Sequence, residues 1–235
     1  MYDHLGEGSL LTGEGGDAVF GLQRVTPLTV MRRRRRFDRP VVAEAAKAVL
    51  PRPSRRRLIT RRELSSGARP WLRPHALQQH ARMVAADEVE QPLRYDRGVW
   101  YLGRQRMWEV MATNQRATAA GYGLRTLDPL LDTGFLAALA RDGGGWGFTG
   151  RTGVMRALFS DVLPAEVVAR RTKAAFNLAI SGPATRAFAE SWDGSGVDAD
   201  LVDPEVLRRL WLSDSPAVLA GMLLHSAWLA SQEAA

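Results

Sequence analysis

Thr12-Gly13-Glu14-Gly15-Gly16-Asp17 is the segment of this chain richest in chemistry. Its glycines let a backbone approach a ligand closely. Amide N–H groups at the start of a following helix would point at an anion, and the helix dipole would add to the attraction. Two phosphate readings compete. Gly13-x-Gly15-x-x-Ala18 fits a loose dinucleotide fingerprint, and Asp38 lies about 20 residues on, where a ribose-binding acid is expected. That reading leaves Glu14 and Asp17 unexplained, because bare carboxylates repel a pyrophosphate. A bound Mg²⁺ removes the objection, since the metal bridges carboxylate and phosphate oxygens. The third reading is a strand–helix turn with incidental acids.

Other chemistries find little support. Cysteine is absent, which excludes disulfides, thiolate metal sites and cysteine nucleophiles. His4, His75, His80 and His225 form no ligand set. His75 and His80 are five apart, a spacing that does not put both on one helix face. There is no Gly-x-Ser-x-Gly elbow for a serine nucleophile.

The elements that must position the loop follow from hydrophobic spacing. Ser9–Thr12 reads as a buried strand ending at Gly13. Asp17 to Met31 has helical spacing, limited or kinked by Pro27. Asp38 can cap a helix with Pro40 in its first turn, running to Pro51. Pro51 to Pro74 is broken and basic, and reads as a loop with at most a short helix around Arg61–Leu64. Helices are expected over Pro74–Glu90 and, as one long element, Asp96–Gly121, with Val99, Leu102, Met107 and Val110 facing inward. Leu124–Leu131 should be extended, followed by a helix over Phe135–Arg141 opened by Asp132 or Thr133, and by a break at Gly143-Gly144-Gly145. Short helices at Thr152–Ser160, Pro164–Arg170 and Pro183–Trp192, a turn at Asp193–Gly196, and helices at Pro204–Trp211 and Pro216–Ser231 complete a pattern of one strand and many helices.

The 235 residues can bury a substantial core, and 46% hydrophobic with 24% charged residues excludes wholesale disorder. The net charge of +7 is unevenly placed. Arg24 to Arg73 holds 16 basic and 3 acidic residues, a local +13, which leaves −6 for the rest. All but Lys47 and Lys173 of the 32 cations are arginine. Nucleic-acid binding is disfavoured because Phe37 and Trp71 are the only aromatic residues in the basic stretch. The competing readings are a solvated face, in a protein that uses arginine for lysine almost everywhere, and a docking surface for an acidic precursor segment or partner protein. No signal peptide follows Met1, and the apolar run Ala217–Ala230 is too short to span a bilayer and contains His225. A cytoplasmic chain without membrane contact is expected.

Four segments in order carry a family resemblance. Leu11–Gly21 resembles the second signature of the asparagine synthetase C-terminal domain superfamily. Leu127-Asp128-Pro129-Leu130-Leu131-Asp132 resembles its Pro-Phe-Leu-Asp segment. Met155–Phe159 with Leu163-Pro164 resembles its Leu-Arg…Leu-Pro stretch, and Arg170–Phe176 its Arg-x-x-Lys-x-x-Phe segment. The tail, Trp192–Trp211 and Leu223–Trp228, is most similar to the lasso-peptide cyclase branch. The resemblance implies a strongly helix-rich α/β fold, the C-terminal part of an adenine-nucleotide hydrolase-like synthetase domain. It implies ATP-dependent amide formation with Mg²⁺: a carboxylate is adenylated, pyrophosphate leaves and an amine attacks. In the cyclase branch both groups belong to one precursor peptide and the product is a macrolactam. Aspartate amidation to asparagine is the same-chemistry alternative, and a non-catalytic scaffold with a basic docking surface is the different-class one.

The same resemblance implies roles for single residues. Asp17 would hold Mg²⁺, and Gly13, Gly15 and Gly16 would let the backbone approach phosphates. Glu14 would lie near the acyl-adenylate. Lys173 would stabilise negative charge as the adenylate or tetrahedral species forms, against the plainer reading of a solvated helix-end cation. Glu109 matches a helical acid in a base role, against an ordinary surface acid. One departure is large: no Ser-Gly-Gly-x-Asp-Ser loop occurs in residues 1–235. The expectation is therefore a partial domain over 1–235, containing the basic segment 24–73 and lacking the N-terminal nucleotide-binding loop. Such a chain would not adenylate on its own. Expected partners are a precursor peptide (or aspartate) as substrate, and a leader-binding or peptidase partner protein or a missing N-terminal half.

Overall fold

The computed structural model describes residues 8–21, 23–170, 181–214 and 216–233. Its elements, in chain order, are β1 (Gly8–Leu11), α1 (Gly16–Val19), α2 (Thr26–Arg34), α3 (Arg39–Val49), α4 (Arg52–Ser65), α5 (Pro74–Glu88), α6 (Tyr95–Gly103), α7 (Arg106–Ala120), β2 (Leu124–Leu127), a 3₁₀ turn (Pro129–Leu131), α8 (Thr133–Gly143), α9 (Arg151–Phe159), α10 (Ala165–Ala169), α11 (Pro183–Ser191), α12 (Pro204–Trp211), a 3₁₀ turn (Val218–Ala220) and α13 (Gly221–Glu233). The fold is helix-rich α/β, as the sequence implies. It holds a second strand that hydropathy alone does not separate from the extended 124–131 segment. The chain divides into two compact units.

The first unit comprises residues 1–51 and 90–171. Strands β1 and β2 pair in parallel, Gly8 opposite Leu124 through Leu11 opposite Leu127. Its core gathers Val19, Phe20, Val25, Tyr95, Val99, Leu136, Leu139, Ala140 and Val154. Phe20 meets Phe135 and Phe159 edge-on, with centroids 6.1 and 5.8 Å away, a geometry the aromatic quadrupole favours. Tyr95 packs edge-on against Phe148 at 5.5 Å. Burial pushes the pKa of its hydroxyl up. Gly147, at φ +67°, lets that ring lie where a Cβ would stand 2.1 Å from Tyr95 Cδ2.

The second unit comprises residues 52–89 and 172–235. Trp71, Trp192, Leu207 and Trp211 form its centre. Both indoles of the Trp192–Trp211 pair, 4.7 Å apart, have partners. Trp192 Nε1 donates to Ser195 O and Trp211 Nε1 to Ala220 O, so neither polar edge is buried unsatisfied.

The strand expected to be buried is largely exposed, Leu11 to 69%, and three helix expectations also need correction. Asp17–Met31 is not one helix: α1 stops at Val19 and α2 begins at Thr26. Pro27 has no N–H and would clash with the turn before it, so it sits in the first turn of a new helix. Asp96–Gly121 is two helices. The carbonyls freed at the break are taken by side chains, Trp108 Nε1 donating to Leu102 O at 2.7 Å and Gln105 Nε2 to Tyr101 O at 3.3 Å. The turn between them rotates Met107 and Val110 outward, to 55% and 47% exposure, while Val99 is buried.

The third correction is the largest. Residues 52–65, expected as loop with at most a short helix around Arg61–Leu64, form a 14-residue helix. Pro53 lies in its first turn, where a missing N–H is harmless, and arginine is a good helix former. Arg55 is buried and donates to Val89 O and Glu88 O at 3.1 and 3.0 Å. It thereby satisfies terminal carbonyls of α5 and meets the negative end of that helix's dipole. Glu63 gathers Arg62 at 2.9 Å and Arg69 at 3.0 Å. Among the described residues no helix is long and apolar enough to cross a membrane.

His80 packs beside this cluster, its Nε2 3.9 Å from Glu63. Burial first, and the Arg69 cation second, hold its pKa below the ordinary histidine value, against the pull of Glu63. A base with a depressed folded pKa contributes stability that is present above about pH 6.5 and is lost as pH falls through the folded value. Urea midpoints measured at about pH 7.5 and about pH 5.5 should therefore fall less in His80→Gln than in the parent chain. An equal fall in both would show that His80 does not titrate against the fold.

Candidate active site

The C-terminal ends of β1 and β2 are joined. Thr12 N–H donates to Leu127 O at 2.9 Å, extending the ladder by one residue. Thr12 Oγ1 donates in a short hydrogen bond to Asp128 Oδ1 and accepts from the Glu14 amide at 3.2 Å. One hydroxyl therefore links the strand pair to the glycine-rich loop.

The loop itself is a tight turn. Gly16 N–H donates to Gly13 O, and the Ala18 and Val19 amides donate to Gly15 O. Gly15 is buried at φ +79°, and a Cβ there would stand 2.3 Å from Leu131 Cδ2. At Gly16 a Cβ would come within 3.0 Å of Leu130 Cδ1, whereas Gly13 has open space. Gly15 and Gly16 thus let the turn close onto the 3₁₀ segment after β2. The amides of Gly16, Ala18 and Val19 are engaged within the turn itself.

The acids separate into three settings. Glu14 is half-buried, and Gln115 Nε2 of α7 donates to its Oε1 at 3.1 Å. Asp17, on α1, is exposed and accepts from Arg151 Nη1 of α9 at 3.0 Å. Glu109 lies in the first turn of α7, six residues before Gln115, and is exposed. Lys173 lies outside the described residues.

Glu109 lines a cavity of about 930 Å³ at the C-terminal ends of the two strands. The strand side contributes Leu11, Leu127, Asp128 and Leu131; α8 and its cap contribute Asp132, Thr133 and Phe135; α7 and the junction before it contribute Arg104, Trp108 and Ala112. Asp132 is fixed by capping α8, accepting from the Gly134 and Phe135 amides at 2.8 and 3.1 Å. This is the position at which open parallel sheets bind ligands. α7 is the shared scaffold, carrying Glu109 toward the cavity and Gln115 toward Glu14. Glu14 and Asp17 do not line the cavity.

From sequence, Thr12 belongs to the loop and Asp128 to a family-like segment, but neither side chain had a role, and Gln115 was not singled out. Asp128 has a readable sign, since it directly follows the strand. Gln115 has none, being an unremarkable polar residue on a helix 101 positions from its partner.

Mg²⁺ and ATP can be tested against these groups. Among the described residues no three of His, Cys, Asp and Glu come together as a metal-holding group. The Asp17 carboxylate fits a single hard-oxygen ligand of the kind Mg²⁺ uses alongside phosphate oxygens and water. Arg151, 3.0 Å from it, fits a phosphate oxygen.

A family model described as asparagine synthase matches residues 8–230. No curated protein and no solved structure matches the chain.

Gly15→Ala is expected to destabilise by about 2–4 kcal/mol, combining a left-handed backbone with overpacking against Leu131. In a Leu131→Ala background the same change should cost only about 1–2 kcal/mol, the backbone part alone. Urea unfolding of the four proteins reads the coupling, and equal costs in both backgrounds would remove Leu131 from the account.

Proposed function

We propose that this chain, which belongs to the asparagine synthase family, makes an amide bond with ATP by joining an amine and a carboxylate of one peptide into a macrolactam. The observation that carries the peptide reading is the cavity bearing Glu109. Its volume of about 930 Å³ lies at the upper end of the range for ligand sites, ~300–1,000 Å³, and is generous for aspartate alone. The similarity of the Trp192–Trp211 and Leu223–Trp228 segments to the cyclase branch supports the same choice.

The reaction divides into two displacements. A carboxylate oxygen of the peptide attacks the α-phosphorus of ATP, and pyrophosphate departs. The peptide amine then attacks the acyl carbon, AMP departs with the electron pair, and the amine proton is taken up. In this reading Asp17 would hold Mg²⁺, which supplies charge neutralisation for the phosphates. Arg151 gives a second, protein-borne cation beside the same carboxylate. Of the three glycines assigned to phosphate approach, Gly13 has the open space for it, while Gly15 and Gly16 close the turn onto Leu131 and Leu130. Glu14, held by Gln115, would lie near the acyl-adenylate, as the family resemblance implies. Glu109 accepts the amine proton, a role that asks for an accessible carboxylate at the cavity wall. Arg104 offers the incoming carboxylate a cation, and the Trp108 indole, tethered to Leu102 O, forms a rigid side of the trough. Lys173 opposes the negative charge that develops at the acyl centre.

Residues 1–235 contain no Ser-Gly-Gly-x-Asp-Ser loop, so the assay is run with the chain alone and with a loop-bearing segment of a family member supplied. AMP and pyrophosphate should form in equal amounts with a peptide product lighter by one water, and only in the supplemented reaction. Asp17→Asn and Lys173→Ala should abolish product. Glu109→Gln should slow it about 10²–10⁴-fold, as loss of a general base does, with an unchanged urea midpoint. Product from free aspartate and an amine, with none from peptides, would replace the macrolactam reading by amidation of aspartate.

A further inference from the structure

The second unit holds an unneutralised arginine face that no step of the reaction uses. Two arginines of α4 have partners within the unit: buried Arg55 with the carbonyls of Glu88 and Val89, and exposed Arg62 with Glu63 and Glu88. Arg56, Arg57 and Arg61 are exposed, and their guanidinium groups meet no carboxylate or carbonyl among the described residues. Arg57 and Arg61 are four apart and Arg61 and Leu64 three apart, so all three share one helix face, with Leu58 three residues before Arg61 at its border. Leu58 and Leu64 are 37% and 43% exposed. Like charges at four-residue spacing repel, and among the described residues no carboxylate contacts them.

We propose that the Arg57–Leu58–Arg61–Leu64 face of α4 is a docking surface for an acidic polypeptide segment of another chain, with aliphatic side chains between its carboxylates. Charge complementarity selects the acid: guanidinium forks bind carboxylates in two-point contacts. The leucines select polypeptide over nucleic acid. A phosphate backbone would lay charged oxygens against Leu58 and Leu64, and no aromatic side chain on α4 offers a base a stacking partner. An amphipathic acidic helix covers both kinds of side chain with one face of its own. The proposal does not rest on the amide-forming reading.

The test is fluorescence anisotropy of the full chain, without ATP, against a labelled synthetic peptide carrying Glu and Leu at helical spacing. Its counterpart with Gln in place of every Glu, and a labelled random-sequence DNA duplex, are run beside it. The acidic peptide should bind, weaken as salt rises, and lose about tenfold or more in affinity in Arg57→Glu/Arg61→Glu, whose helix content is checked by circular dichroism. Arg141→Glu, a charge change in the other unit, should leave binding within about twofold. Two results overturn the proposal: equal binding of the Gln peptide, or duplex binding stronger than peptide binding and lost in the same double variant.

Discussion

The parallel pairing of Gly8–Leu11 with Leu124–Leu127 is the constraint on which the first unit depends. It closes a loop of more than a hundred residues, and the entropy of that closure grows only slowly with length. Four residue pairs and one added ladder bond would still be marginal alone, since short two-stranded sheets rarely stand unaided. The Thr12–Asp128 hydrogen bond and the closure of the Gly15 turn onto Leu131 add side-chain specificity to the pairing. Slipping the register by one residue would separate Thr12 from Asp128 and carry Gly15 away from Leu131. The same contacts that hold the strands therefore set the floor and rim of the cavity.

α7 translates that constraint into chemistry. It packs beside β2 and presents Glu109 at the cavity and Gln115 at Glu14. A rotation of the helix would move both carboxylate settings together. The break between α6 and α7 fixes its rotation: Trp108 and Gln105 satisfy the carbonyls that a continuous helix would have used. This accounts for Met107 and Val110 facing outward although their spacing suits a buried face.

Arginine serves three physical purposes here. Buried Arg55 closes the end of α5 through backbone carbonyls, Arg62 and Arg69 organise around Glu63, and Arg151 balances Asp17. Composition counts these together as positive charge, and only their partners distinguish a structural cap from a free cation. The local +13 of residues 24–73 is accordingly smaller in effect than in formal count, and its unneutralised remainder in the second unit lies on the outer face of α4.

Much of the fold was legible in residue order. The β1–turn–helix start, the Asp132 cap, the proline-led helices α3, α5, α11 and α12, and the turn at Asp193–Gly196 each follow from local rules of capping, proline placement and glycine conformation. Family membership was legible too, because it rests on residue types held in order along the chain. The long Arg52–Ser65 helix was not, because its stability comes from contacts with α5, outside any local window. The split of α6 from α7 depends on side chains reaching carbonyls freed within the tertiary fold. At the site, sequence singled out Glu14, Asp17 and Glu109 as candidates, yet only tertiary structure paired Glu14 with Gln115, Asp17 with Arg151, and Thr12 with Asp128. Local sequence determines which groups are available and how the backbone can turn. Which of them meet is decided by strand register and helix rotation, and these are set by packing between segments more than a hundred residues apart.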